Sequence, residues 1–248
     1  MHHTGFKIGY SDTGGVYMGK NTQADYHMHH AITIILSLGE PFEISFNNKD
    51  SEPYKAAIIQ KDVCYSLKSC KTDYVIYIHL DPYSEIGIKL AQKGNPIQKL
   101  EIEPFSGILQ EFRQWFNSSK NDEAHTAQLL NKASTIIAMK NNSLVKIDDR
   151  IQKSIQLIKQ SDTNKLLIRE VAKSVNLSPS HFARLFKKET GMPFRKFVLH
   201  CKLVKSLKAI YQQHSLAESS YLGGFSDQPH LTRTFKKAFG IKPSASLK

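Results

Sequence analysis

Residues 215–240 read SLAESSYLGGFSDQPHLTRTFKKAFG, and a related stretch, LLIREVAKSVNLSPSHFARLFKKETG, occupies residues 166–191. Each copy reads as a short helix, a tight turn at Asn176 or Gly224, and a second helix. The two second helices match at an offset of 49 residues: His181 with His230, Arg184 with Arg233, Phe186-Lys187-Lys188 with Phe235-Lys236-Lys237, and Gly191 with Gly240. The repeat therefore predicts two helix-turn-helix units, with everything from Ile147 onward helical.

The start of each second helix has residues suited to that position. Ser178 and Ser226 are predicted N-caps, because a serine hydroxyl accepts a hydrogen bond from a free backbone N–H of the first turn. Pro179 would then be the first helical residue and Pro229 the third, where proline removes no helical hydrogen bond. In the second copy, the predicted buried stripe consists of Leu231, Phe235, Ala238 and Phe239.

Arg184 and Arg233 point away from the predicted buried faces of their helices, at about 100° per residue. Arginine can pair with guanine, glutamine with adenine, and lysine with phosphate. A single charged helix face is usually only solvated. Two copies with similar caps, in a strongly basic region, favour DNA instead. A catalytic role for His230 is not favoured, since no nucleophile with an orienting partner is identifiable.

The charge is divided unevenly along the 248 residues. Residues 151–248 contain 18 Lys and Arg against 5 Asp and Glu, whereas residues 1–150 contain 16 against 17. This asymmetry predicts two domains, of which the second binds a polyanion. We find no spanning segment and no secretion signal, and the three cysteines have no metal-ligand spacing, which together favour the cytoplasm, no membrane and no cofactor.

The first half reads as strands followed by helices. Residues 41–47 alternate apolar and polar side chains, and residues 31–38 and 73–80 are rich in β-branched and aromatic residues, so residues 5–82 are predicted to form a small antiparallel barrel or sandwich. Two amphipathic helices follow at about 104–139. They could cover the barrel or pair with a second copy of the chain. Residues 140–146 are the best linker candidate.

The C-terminal hundred residues resemble the DNA-binding domain of the AraC/XylS family of bacterial transcription regulators. The resemblance is carried by IDDRIQKSIQLI, LSPSHFARLFKKETGMPF, FVLHCKLVKSLKAI and GFSDQPHLTRTFKKAFGIKPS. It implies that the two recognition helices enter successive major-groove segments of promoter DNA. The implied base contacts are Ser180, Arg184, Gln228, His230 and Arg233, and the implied phosphate contacts are Lys187, Lys188, Lys236 and Lys237.

The chain departs from the family pattern in the C-terminal region. Lys202 stands where arginine is usual, and Ser206 and Ser220 stand where alanine is usual. Ala183 occupies a position that often contacts bases, so the first half-site is expected to be read more loosely.

The N-terminal half resembles the cupin-like sensor domain of the same family, through residues 26–44 and 77–90. The resemblance implies an α+β protein with a cupin-like domain at 1–140 and an all-α domain at 147–248. It also implies a small-molecule effector, a homodimer formed through the two helices, and action on RNA polymerase. The residues expected to line the effector pocket are His27, His29, Phe42, Ile44 and His79.

The HMHH stretch leaves a second function open. His27, His29, Glu43 and His79 are metal-ligand types, and as a set they would make the chain a metal-dependent cupin enzyme with a basic tail. The glycines and spacing of a metal cupin are not clearly present, so we expect no metal. Polar pocket residues or structural histidines are the favoured interpretation.

Overall fold

The computed structural model describes residues 5–239, apart from residues 21, 48–49, 70, 92–94, 119–121 and 140–146. The predicted linker at 140–146 lies outside the described residues. The chain divides into two compact units, built mainly from residues 1–145 and 146–237. No helix among the described residues is long and apolar enough to cross a bilayer.

The N-terminal unit contains two antiparallel sheets. One has six strands in the order β1-β2-β9-β4-β7-β10, and the other has four in the order β3-β8-β5-β6. The strands are β1 Phe6–Ser11, β2 Gly14–Lys20, β3 Gln23–Met28, β4 Ile32–Ser37, β5 Phe42–Phe46, β6 Glu52–Tyr54, β7 Ala56–Ile59, β8 Cys64–Lys68, β9 Tyr74–Leu80 and β10 Ile97–Leu100. The predicted α+β fold class is confirmed.

The predicted strands are present, but the sheet continues past residue 82. Strand β10 pairs with β7 after a short helix, α1 (Glu85–Leu90). Its sequence, IQKL, is short and has a single β-branched residue, so it gives little strand signal. In β5, Phe42 and Ile44 are buried and Glu43 is exposed, as the alternation predicted.

The six-stranded sheet is covered on both faces. Its inner face shares a core with the four-stranded sheet, in which Ile35, Val75 and Tyr77 meet Phe42 and Leu67. Its outer face packs against α2 (Ser106–Asn117) and α3 (Glu123–Ala138). The apolar stripes of both helices are used there, and the buried residues include Ile108, Phe112, Trp115, Leu129, Leu130 and Ile137. Packing within one chain is therefore the role of these stripes.

The described part of the C-terminal unit is helical. Its helices are α4 Asp149–Gln160, α5 Ile168–Ser174, α6 Pro179–Thr190, α7 Phe194–Tyr211, α8 Leu216–Gly223 and α9 Gln228–Phe239. Helices α5 and α6 form the first helix-turn-helix, and α8 and α9 form the second. The long helix α7 connects them. Asn176 (φ 55°) and Gly224 (φ 84°) have left-handed backbone conformations in the two turns, which allows each chain reversal in a few residues.

Helices α7 and α8 approach closely at Ser206 and Gly223. A Cβ added at Gly223 would lie 1.8 Å from Ser206 Oγ and 2.7 Å from the Lys202 carbonyl oxygen, so only glycine fits there. The Ser206 hydroxyl is fully buried and finds no hydrogen-bond partner among the described residues. By contrast, the Ser220 hydroxyl donates to the Ala217 carbonyl at 2.8 Å. Of these two departures from alanine, only Ser206 leaves a buried polar group unsatisfied.

We predict that Ser206→Ala stabilises the C-terminal unit by about 1 kcal/mol, because it removes a buried hydroxyl that has lost its bonds to water. Hydrogen exchange of the α7 and α8 amides in the full chain measures this change. Ser220→Ala is the matched control and should shift stability by less than about 0.5 kcal/mol. Destabilisation by Ser206→Ala would contradict the packing described.

Candidate nucleic-acid interface and effector pocket

Helix α6 begins as predicted. The Ser178 side chain accepts a hydrogen bond from the His181 N–H at 3.3 Å, and Pro179 is the first helical residue. The helix ends at Gly191, which has φ 82°. The first recognition helix is thus bounded by residues whose conformations its sequence favours.

One face of α6 is fixed by an aromatic cluster. Phe182 and Phe186 are fully buried, and the Phe186 ring centroid lies 6.0 Å from that of Phe194 and 5.2 Å from that of Phe197. These contacts set the rotation of the helix about its axis. The opposite face is exposed and carries the predicted DNA contacts of the first unit: Ser180, Arg184, Lys187 and Lys188.

Helix α9 begins one residue later than predicted. Asp227, not Ser226, is the capping residue: its carboxylate accepts the His230 N–H at 2.6 Å and the Ser226 hydroxyl at 2.9 Å. These two bonds lower the pKa of Asp227. An ionised carboxylate suits a helix N-terminus better than a hydroxyl does. Consequently Pro229 is the second helical residue rather than the third, still within the first turn.

The faces of α9 repeat those of α6. Leu231 and Phe235 are buried. The exposed face carries Gln228, Arg233, Lys236 and Lys237. His230 differs from these residues, because it is half-buried and its ring stands edge-on to Phe225 at 5.1 Å between centroids. Part of its role is therefore to pack against the turn.

The N-terminal sandwich contains a cluster of three half-buried histidines. The ring centroids of His27 and His29 lie 4.6 Å apart, and those of His29 and His79 lie 4.7 Å apart. Tyr65 lies 4.6 Å from His27, and Thr33 Oγ1 is 3.1 Å from His79 Nδ1. Three of the five predicted pocket residues thus come together, from β3, β9 and the turn before β4.

Burial keeps these histidines uncharged. It lowers the pKa of His29 to about 2, with added repulsion from His79 and His27, and lowers the pKa of His79 to about 4. The pKa of His27 is also lowered by burial. Near neutral pH the cluster therefore offers neutral imidazoles, each with one N–H donor and one nitrogen acceptor.

The other two predicted pocket residues lie in the packed core between the sheets. Phe42 and Ile44 are buried in the same inner core as Tyr65 and Leu67. Glu43 lies on the outer face of the sheet, away from the histidines. Within the described ranges, no group of three or more His, Cys, Asp or Glu side chains is arranged to hold a metal ion. The residue set of the metalloenzyme alternative is thus not assembled.

Two features of these sites were not predicted from the sequence: the residues that contact the histidines, and the N-cap of α9. Tyr65 and Thr33 contact the histidines, but an alternating strand sequence does not reveal which residues face each other across a sandwich. Asp227 was overlooked beside Ser226. The signal was available there, because Asp is as good an N-cap as Ser and adds a negative charge at the helix N-terminus.

Comparison with known proteins agrees with this architecture. The helix-turn-helix domain family matches residues 171–248. The probable transcriptional regulator LumQ of Photobacterium leiognathi is 24% identical over 231 residues, which are 88% of this chain and 90% of LumQ. The Msm operon regulatory protein of Streptococcus mutans is 32% identical over 80 residues, covering 32% of this chain and 29% of that protein.

Solved structures of ToxT from Vibrio cholerae share the fold of the whole chain. An apo form aligns with a TM-score of 0.64 and 14% identity, covering 98% of this chain and 97% of ToxT. A form with a bound unsaturated fatty acid aligns with a TM-score of 0.62 and 14% identity, covering 100% and 96%. At this identity the likeness establishes the fold.

The two capped helix-turn-helix units and these relatives define a DNA-binding transcription regulator rather than an enzyme. The helix-turn-helix family match covers most of the C-terminal unit, which follows an N-terminal unit of two antiparallel sheets.

The lowered pKa values of the half-buried histidines predict that the N-terminal unit loses stability on acidification. Because the pKa of His29 is lowered in the folded state, protons bind preferentially to the unfolded chain below pH 6.5. The free energy of unfolding therefore decreases as the pH is lowered. Between pH 7 and pH 5, His29 alone should account for about 2 kcal/mol of this loss. Denaturation followed by the fluorescence of Trp115, the chain's single tryptophan, reports this unit.

His29→Phe should reduce that pH-dependent loss by about 2 kcal/mol, because phenylalanine does not titrate. His125→Gln, on α3, removes a histidine that lies outside the cluster and is the control. An unchanged pH dependence in His29→Phe would show that His29 is not held neutral in the folded protein.

Proposed function

We propose that α6 and α9 read two successive major-groove segments of promoter DNA, with Arg184 and Arg233 as the main base-reading residues. The observation that carries this assignment is that each helix buries one face and exposes an arginine on the other. An arginine so placed can donate two hydrogen bonds to guanine O6 and N7. Ser180 and Gln228 would add supporting contacts near the helix N-termini.

The exposed lysines fit phosphate contacts. Lys187 and Lys188 lie in the last turn of α6, and Lys236 and Lys237 lie near the end of α9. Phosphate contacts supply affinity and salt dependence without reading sequence. His230 is assigned a mixed role, because its ring packs on Phe225 while Ser226 Oγ lies 3.4 Å from its Nδ1.

We propose a small amphipathic effector for the N-terminal sandwich. Its apolar body would lie against Phe42 and Ile44, and its polar group would bond to the neutral imidazoles of His27, His29 and His79. Aromatic and aliphatic walls with a few convergent polar groups are typical of small-molecule sites. The unsaturated fatty acid bound by ToxT supports an effector of this shape.

The working state we propose is a cytoplasmic homodimer that acts on RNA polymerase. The apolar stripes of α2 and α3 are already buried within one chain. A dimer contact through these helices would therefore use outward residues at or next to them, such as Met139, which directly follows α3 and is 81% exposed. A second DNA-bound copy would double the site and increase specificity.

Arg233→Ala should cost about 1–3 kcal/mol of binding to the specific site and relax the preference at one base pair, because an arginine that reads a base contributes only where that base is present. Competition binding against a panel of single-base variants measures both effects in the full chain. An equal loss on specific and random DNA would refute base reading by Arg233.

Lys237→Ala is the matched comparison on the same helix. It should weaken binding to all sequences about equally and lower the slope of log affinity against log salt by about one.

A further inference from the structure

Two lysines of α7 donate hydrogen bonds to segments that lie before and after this helix in the sequence. Lys202 Nζ donates to Asn164 Oδ1 and to the Gly224 carbonyl oxygen, each at 2.7 Å. Lys205 Nζ donates to the Ser161 carbonyl oxygen at 2.8 Å. Asn164 lies in the loop that leads into the first helix-turn-helix, whereas Gly224 is in the turn of the second. Lys202 thus bridges the two helix-turn-helix units.

The bridged segments are also in direct contact. A Cβ placed on Gly224 would lie 2.9 Å from Thr163 Oγ1 and 3.2 Å from Asn164 Oδ1. The loop before α5 therefore touches the turn that precedes α9. Asn164 is held in this loop, since its N–H donates to the Asp162 carboxylate at 3.0 Å.

We propose that Lys202 is a positioning residue that fixes the separation of the two recognition helices and thereby sets the base-pair spacing that the regulator accepts. This inference rests on the proposed DNA contacts of α6 and α9. A small shift of the Gly224 turn relative to Asn164 would move the start of α9 with respect to α6. Since DNA turns by about one tenth of a revolution per base pair, spacing is sensitive to such a shift.

The bridge through Lys202 makes the connection between the two helix-turn-helix units more rigid. When two reading helices are held at the correct separation, binding of the first raises the effective concentration of the second at its own segment. A looser connection lowers that concentration on the matched site and tolerates other separations. Lys202 would therefore affect spacing selectivity, while Arg184 and Arg233 set which bases are preferred.

The test compares DNA of the selected two-segment sequence with the same DNA carrying one inserted base pair between the segments, with the full chain as binder. Wild type should lose about 100-fold in affinity on insertion, because one helix no longer reaches its segment. Lys202→Met keeps the apolar stem and removes both bonds, and its loss should be only about 10-fold.

Lys205→Met is the matched control. It removes the same charge from the same helix, and a bond of the same type, but that bond reaches only the end of α4 and does not touch the second unit. It should keep the wild-type penalty for insertion. Asn164→Ala removes one acceptor from an exposed loop position and should give an intermediate penalty, which preserves the test if Lys202→Met does not fold.

Equal insertion penalties for wild type, Lys202→Met and Asn164→Ala would overturn the positioning role while leaving the proposed DNA contacts intact. If wild type itself shows no preference between the matched and the inserted DNA, two-segment reading fails, and the inference fails with it.

Discussion

Phe182 and Phe186 in α6, and Leu231 and Phe235 in α9, are buried within the helical C-terminal unit, and this burial fixes the rotation of both recognition helices. The outward direction of Arg184 and Arg233 depends on it. Local features act in the same sense: the caps at Ser178 and Asp227 begin the helices, and left-handed residues shape the turns before them. Packing, capping and turn geometry thus all direct the same basic side chains outward.

The N-terminal unit is organised around a buried sheet. Its six-stranded sheet is buried on both faces, by the second sheet on one side and by α2 and α3 on the other. The half-buried histidine cluster lies beside the inner core, where partial desolvation disfavours charge. The effector that we propose would be oriented by the neutral imidazoles, and its apolar body would supply most of the binding energy.

The sequence allowed the C-terminal unit to be predicted in detail, because helical periodicity and turn residues are local and the duplication repeats them. An error in this prediction was also local: the N-cap of α9 is Asp227, not Ser226. In the N-terminal unit, strands with clear alternation such as 41–47 were predictable, whereas β10 was not. The contacts of Tyr65 and Thr33 with the histidines, and of Lys202 with Asn164 and Gly224, join residues distant in sequence and needed the three-dimensional structure.

Selection of bound DNA from a random pool, with the full chain, tests the central claim of two reading helices most directly. We predict two enriched segments with centres about 10 base pairs apart, one helical turn, so that both helices reach the same side of the duplex. A single enriched segment would contradict paired reading by α6 and α9. Retention of DNA without any enriched sequence would contradict base reading altogether and leave only electrostatic attraction.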